Sequence, residues 1–248
     1  MQPAVSVVIL SHRKEFLPDA LQSVLNQTIE NIQIIVQYCP ANWPTKLNEA
    51  MQYVRGEFFV CLCDDDLLDK DFLLHTLAAG QKGGDIVYTD RMVFEDRAHP
   101  ETGIHFHIHG EEFTENAYWM QMAPEDFRFG SSLPMTCLIR TAHWKAIGGF
   151  DPHMPHHETA FWYRSVAAGG KHGYIPKPLF LYHMHAGQYH KESDQSMAFL
   201  KAFHRKHFQA FGVMMGNAKL LEDGQTQVDT LPPDDRIALL ATGWRPDW

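Results

Sequence analysis

Short apolar runs alternate with segments of helical periodicity through the N-terminal half of the chain. The runs are rich in β-branched and aromatic residues, as in strands that are buried on both faces; they lie at 5–10, 32–36, 57–62 and 85–88. Apolar residues between them recur every three or four positions, which predicts helices at 17–25, 46–54 and 72–79, with Gly56 ending the second helix. A strand–helix–strand repeat requires crossover connections, so we expect a mostly parallel sheet with helices on both faces.

The second half of the chain has a less regular pattern. It predicts a helix near 160–168 and a strand at 174–182, and then an amphipathic Phe-rich helix at 196–211. The chain becomes polar and proline-containing after Gly212. We therefore expect one α/β domain over 1–212 and a C-terminal tail over 213–248.

Composition narrows the class of protein. Hydrophobic residues make up 45% and charged residues 21% of the 248 residues, which is ordinary for a globular domain. The net charge of −9 argues against binding to a nucleic-acid backbone. The 4 cysteines have no CxxC spacing, and no apolar run reaches the ~18 residues of a membrane span. We expect a cytoplasmic protein.

Consecutive carboxylates follow the third predicted strand. Asp64, Asp65 and Asp66 come directly after an apolar run, so they lie at a carboxyl end of the sheet, where ligands bind in open α/β folds. Adjacent carboxylates repel one another unless a cation lies between them, and oxygen ligands of this kind suit Mg²⁺ or Mn²⁺. A solvated acidic turn that caps the next helix is the alternative interpretation.

Several histidines and one further carboxylate are candidates for a general base or for metal ligands. Glu158 lies at the start of a predicted helix, where it could serve as a general base or interact favourably with the helix dipole. The segment Tyr182-His-Met-His185 places two imidazoles on one side of a strand end, as metal ligands or as hydrogen-bonded side chains. His105, His107 and His109 alternate, which would suit a zinc or copper site or simply a polar strand face.

Several motifs in order resemble the family-2 inverting glycosyltransferases of the GT-A fold. The opening strand and first helix, the strand ending in Asp64–Asp66, the Gly148-Gly-Phe-Asp151 segment followed by Glu158, and the closing Tyr182–Gly187 segment are each similar to a family motif. The resemblance covers roughly residues 5–190. It implies a single GT-A domain with a nucleotide-sugar half at about 1–95 and an acceptor half at about 96–212.

The resemblance also implies roles for individual residues. Glu158 falls where the family keeps its catalytic base. Asp65, Asp66 and His185 fall on the site of a Mn²⁺ or Mg²⁺ ion, although the run alone leaves open which two aspartates face the metal. The residues expected to contact the donor nucleotide are Ser11, Tyr38, Lys46 and Asp64.

The sequence departs from the family pattern at the nucleotide site. Tyr38 and Cys39 stand where the family usually has acidic residues that hold the base, so Tyr38 could stack on the base instead. Cys63 stands where the first Asp of the metal motif often lies. For Lys46, an ordinary surface lysine is an equally good interpretation.

The function implied is transfer of a sugar from a nucleotide-diphosphate sugar, with a UDP-sugar as the expected donor. The acceptor would be a glycan, a lipid-linked molecule or a protein, as in polysaccharide or glycoconjugate biosynthesis, and helix 196–211 could touch a membrane surface. Two other classes stay open: a non-catalytic nucleotide or sugar binder on the same fold, and a metal-dependent hydrolase that uses His105–His109.

Overall fold

A computed structural model describes residues 2–95, 118–120, 134–153, 157–185, 218–220 and 226–228. The strands are β1 (Val5–Ser11), β2 (Ile32–Tyr38), β3 (Phe58–Cys63), β4 (Leu67–Leu68), β5 (Ile86–Glu95), β6 (Tyr118–Met120), β7 (Leu138–Arg140), β8 (His172–Met184), β9 (Ala218–Leu220) and β10 (Thr226–Val228). The helices are α1 (Leu17–Leu25), α2 (Trp43–Ala50), α3 (Phe72–Gln81), α4 (Thr141–Ala146) and α5 (His157–Ala167).

Eight strands form one sheet in the order β2-β1-β3-β7-β5-β8-β4, with β6 paired to β5. The three longest pairings, β1 with β2, β1 with β3 and β5 with β8, are parallel. Antiparallel pairings of the short strands β4, β6 and β7 complete the sheet. The predicted α/β class with a largely parallel sheet is confirmed.

The core lies on both faces of this sheet because β1 and β3 are apolar at nearly every position. Val7 and Ile9 of β1 pack with α1 and α3 on one face, while Val8 and Leu10 pack with α2 and α5 on the other. Successive strand side chains point to opposite faces, so a continuous apolar run supplies both layers. Gly56 lies where a Cβ would come within 2.7 Å of the Ser6 backbone nitrogen, and it thus permits the close approach of β3 to β1.

Helix α2 was predicted at the wrong position: it spans Trp43–Ala50 rather than 46–54. Asn42 caps it, with its side-chain oxygen accepting from the Thr45 N–H at 3.4 Å, and Pro44 occupies the first turn. The helix ends before Gly56, so this glycine has a packing role and is not a helix terminator. The apolar periodicity missed the start because the first turn is defined by its cap and its proline.

Several predictions fall on residues outside the described ranges. These are His105, His107 and His109, the Phe-rich helix at 196–211 and most of the tail at 213–248, of which β9 and β10 are described as a small antiparallel pair. The division at 1–212 therefore stays a prediction. Within the ranges that are described, no helix has the length and apolar character needed to cross a membrane.

Candidate functional site

Asp64 anchors the loop that follows β1. Strands β1 and β3 are parallel neighbours, so their carboxyl ends lie side by side. The Asp64 Oδ2 atom accepts the backbone N–H groups of His12 at 2.7 Å and of Arg13 at 2.6 Å. Its Oδ1 atom lies 3.4 Å from Arg13 Nη2, and with only 1% of Asp64 exposed the carboxylate holds the loop through both the backbone and the side chain of Arg13.

The Arg13 side chain joins Asp65 to His185. Its Nη2 atom donates to Asp65 Oδ2 at 2.5 Å, and its Nη1 atom lies 2.8 Å from His185 Nε2. His185 Nε2 is also 3.0 Å from Asp65 Oδ2. The carboxyl end of β8 is thus brought to the Asp run, and the two side chains predicted as metal ligands share a cation from the protein itself.

Asp66 is the aspartate of the run whose pKa is clearly raised. It is 4% exposed, and its Oδ1 atom accepts the His183 backbone N–H at 3.1 Å. Burial, and next the negative charge of Asp65, raise the pKa of the Asp66 carboxyl well above its ordinary value. A carboxylate in this position is stabilised by any cation that enters beside it.

Side-chain donors suited to a metal ion converge on this edge of the sheet. Ligand atoms of Cys63, Asp65 and Asp66 lie within 4.8 Å of one another. Burial, followed by the charges of Asp66 and Asp65, raises the pKa of the Cys63 thiol, although part of the residue is exposed. The carboxylate oxygens of Asp65 and Asp66 are hard ligands that suit a divalent ion such as Mn²⁺ or Mg²⁺, whereas the sulfur is a softer donor that these ions take less readily.

Aromatic rings cover the histidines of β8. The Phe16 ring lies 5.0 Å from the His185 ring and 5.2 Å from the His183 ring, measured between centroids. On the His183 side, Phe94 stacks at 4.6 Å with an interplanar angle of 9°. The Arg13 guanidinium lies 5.5 Å from the Phe16 centroid. These contacts reduce the access of water and strengthen the charge interactions beneath them.

The residues predicted to contact the nucleotide lie on neighbouring elements. Ser11 and Tyr38 are register partners at the carboxyl ends of β1 and β2, with Ser11 buried and Tyr38 63% exposed. Lys46 lies on α2 and pairs with Glu49 at 2.8 Å. The structure thus presents an exposed aromatic ring at the same sheet edge as the Asp run, with β1 between them, and it gives Lys46 a local partner.

Glu158 lies in the first turn of α5 and is half-buried. Its charge makes the smallest of the contributions that raise the pKa of the Cys63 thiol, after burial and the charges of Asp66, Asp65 and Cys61. The first turn of α5 approaches α2, where the His157 and Trp43 rings meet at 5.0 Å. Glu158 therefore lies at the end of α5 that is near α2.

Arg13 is the site residue that sequence reasoning missed. Its partners Asp65 and His185 are 52 and 172 residues away, so no local pattern signals the contact. The available signal was its position just after β1, at the same sheet edge as the Asp run.

Comparisons with known proteins bear on the fold. No protein-family model matches the chain, and no curated protein matches it. Among solved structures, S. aureus TarS residues 1–349 in complex with UDP-GlcNAc is 14% identical, covers 89% of this chain and 69% of its own, and has a TM-score of 0.59. The complex of the same fragment with UDP is 13% identical, with a TM-score of 0.53 and coverage of 89% and 68%.

A further TarS structure matches with a TM-score of 0.54 at 13% identity, where this chain spans only 41% of its length. TarS is a GT-A family-2 glycosyltransferase. Identity this low establishes the fold alone. The chain therefore has the GT-A fold that its sequence motifs predict.

Proposed function

We propose that the protein is a glycosyltransferase that moves a sugar from a nucleotide-diphosphate sugar to an acceptor hydroxyl. The observation that carries the proposal is the buried run Asp64–Asp66, packed against the loop after β1 and the end of β8 in a GT-A fold. The complexes of TarS with UDP-GlcNAc and UDP make a UDP-sugar the donor to test first.

The donor site that we propose lies at one edge of the sheet, at the carboxyl ends of β1, β2, β3 and β8. Tyr38, exposed at the end of β2, offers a ring on which the nucleotide base can stack, and Ser11 lies beside it at the end of β1. Asp65 and Asp66, together with His185 and with the nearby thiol of Cys63, would hold a Mn²⁺ or Mg²⁺ ion. When bound, such an ion would neutralise the diphosphate and stabilise it as a leaving group.

Glu158 is the proposed general base of an inverting displacement. The acceptor oxygen forms a bond to the anomeric carbon as the bond from that carbon to the diphosphate oxygen breaks on the opposite face. The acceptor proton passes to the Glu158 carboxylate, and the bonding electrons leave with the nucleoside diphosphate. Support for this role is the half-buried position of Glu158 in the first turn of α5.

The experiment is a transfer assay with the Glu158→Gln variant. We expect turnover to fall by ~10²–10⁴ while UDP binding, measured by calorimetry, stays within about twofold of wild type. The Glu30→Gln variant is the matched control, because it removes one carboxylate from an exposed position before the amino end of β2 and should transfer sugar at the wild-type rate.

Unchanged turnover of Glu158→Gln would remove this residue from the mechanism. Binding of UDP by the wild type with neither sugar transfer nor donor hydrolysis would instead favour a non-catalytic nucleotide-sugar binder, the class suggested by Tyr38 and Cys39 in place of acidic residues.

A further inference from the structure

The Arg13 guanidinium contacts two groups that the proposed metal would need. It donates from Nη2 to Asp65 Oδ2 at 2.5 Å and lies with Nη1 2.8 Å from His185 Nε2. The Arg13 side chain is 16% exposed, and those of Asp65 and His185 are 9% and 4% exposed. The contacts are thus largely desolvated and stronger than those of a surface ion pair.

The contact with His185 shows which ring nitrogen the guanidinium and a metal ion would compete for. His185 Nε2 lies 2.8 Å from Arg13 Nη1 and 3.0 Å from Asp65 Oδ2, so it either accepts from the guanidinium or donates an N–H to the carboxylate. A metal ion needs the lone pair of that nitrogen, and neither arrangement leaves it available. Asp65 Oδ2 accepts from Arg13 Nη2 at 2.5 Å, so the guanidinium also engages the carboxylate oxygen that faces His185.

The backbone of Arg13 is held while its side chain can move. Asp64 fixes the Arg13 N–H at 2.6 Å, so departure of the guanidinium requires only side-chain rotation. The Phe16 ring packs beside both the guanidinium and His185, so the rotation must break this packing together with the ion pairs to Asp64 and Asp65.

We infer that Arg13 is an internal counter-ion that a divalent ion must displace from Asp65 and His185, and that the released guanidinium then pairs with the donor diphosphate. The inference rests on the proposed function, since it assigns a role to Arg13 in loading the same donor site. A planar fork of N–H groups matches the oxygen atoms of a phosphate, so the guanidinium exchanges one anionic partner for another.

The first test is Mn²⁺ binding without nucleotide, measured by calorimetry on the purified chain. Arg13→Gln removes the competing cation and should bind Mn²⁺ at least about tenfold more tightly than wild type. Lys14→Gln is the matched control, because it removes the same charge from an exposed neighbour and should change the affinity by less than about twofold. Arg13→Lys keeps the positive charge but lacks the planar guanidinium, so its Mn²⁺ affinity should lie between those of wild type and Arg13→Gln.

The second test is UDP binding at saturating Mn²⁺. Here Arg13→Gln should bind UDP at least about tenfold more weakly than wild type, because the diphosphate has lost its guanidinium partner. Mn²⁺ binding should thus become tighter while UDP binding becomes weaker. A variant that only destabilised the fold would not change the two affinities in opposite directions.

Mn²⁺ affinity that is unchanged or weaker in Arg13→Gln overturns the displacement. UDP affinity that is unchanged in Arg13→Gln overturns the second role of the guanidinium. Failure of wild type to bind UDP at all contradicts the proposed function instead, and the Mn²⁺ titration without nucleotide still decides the competition between Arg13 and the metal.

Discussion

Replacing Asp64 by asparagine tests the assignment of this residue to the loop rather than to a ligand. In the structure its Oδ2 atom accepts N–H groups from His12 and Arg13, and the carboxylate is 1% exposed. The asparagine side chain has the same size and keeps one acceptor oxygen, but it lacks the negative charge. The two hydrogen bonds therefore become neutral ones.

The expected loss follows from the difference between these kinds of hydrogen bond. A bond to a charged acceptor contributes roughly 1.5–3 kcal/mol and a neutral bond roughly 0.5–1.5 kcal/mol. Two such bonds give a decrease of about 2–3 kcal/mol in the free energy of unfolding. Relief of repulsion from Asp65 and Asp66 acts against this decrease, and loss of the 3.4 Å ion pair with Arg13 adds to it, so we expect about 2–3 kcal/mol, or a Tm lower by roughly 4–12 °C for a chain of this size.

The assay is urea denaturation in EDTA, so that no divalent ion contributes to stability. Glu30→Gln is the control, because it makes the same change of charge at an exposed position and should alter stability by less than about 0.5 kcal/mol. An Asp64→Asn variant as stable as this control, with an unchanged denaturant slope, would refute the anchoring role.

Two further predictions concern the part of the fold that supports the site. Gly149 has φ +66° and a Cβ there would lie 2.5 Å from the Trp144 ring, so Gly149→Ala should lower the free energy of unfolding by about 3 kcal/mol in urea denaturation. Gly169 has φ +72° with open space around it, so Gly169→Ala should lower the free energy of unfolding by only about 1 kcal/mol. Equal decreases for the two variants would contradict the packing argument. The Ser165 hydroxyl lies 2.8 Å from His172 Nε2, and burial lowers the pKa of His172 from 6.5 to about 4. The unfolded chain takes up a proton that the folded ring excludes, so stability is full above about pH 6.5 and falls as the pH drops toward 4. The Tm of wild type should therefore fall more between about pH 7 and about pH 5 than that of His172→Gln, and equal decreases would contradict the assignment.

The sequence was informative where local patterns determine the structure. The apolar run at 5–10 predicted β1 almost to its ends because a strand buried on both faces has no polar interruptions. The position of the Asp run after β3 was equally visible. Helix α2 was misplaced since its start depends on the Asn42 cap and Pro44, which lie outside the apolar periodicity.

The interactions within the site could not be read from the chain. Three consecutive aspartates are chemically alike in sequence, yet the structure gives Asp64 two backbone N–H groups of the β1 loop, Asp65 the Arg13 guanidinium and Asp66 the His183 N–H. These differences arise from strands β1 and β8 meeting β3, and they depend on contacts between residues far apart in sequence. Sequence motifs predicted that the site lies at the sheet edge, whereas the tertiary contacts determine which partner each aspartate has.

The measurement that tests the central claim most directly is nucleotide binding by wild type and Asp66→Asn. Thermal unfolding is followed with UDP, GDP, dTDP or CMP, each with and without Mn²⁺. A ligand at about 100 times its Kd stabilises the fold by ~2.7 kcal/mol, which raises the Tm by roughly 5–11 °C. We predict a Mn²⁺-dependent increase with UDP that is lost in Asp66→Asn. No increase with any of these nucleotides, with or without the ion, would contradict a donor site at Asp64–Asp66.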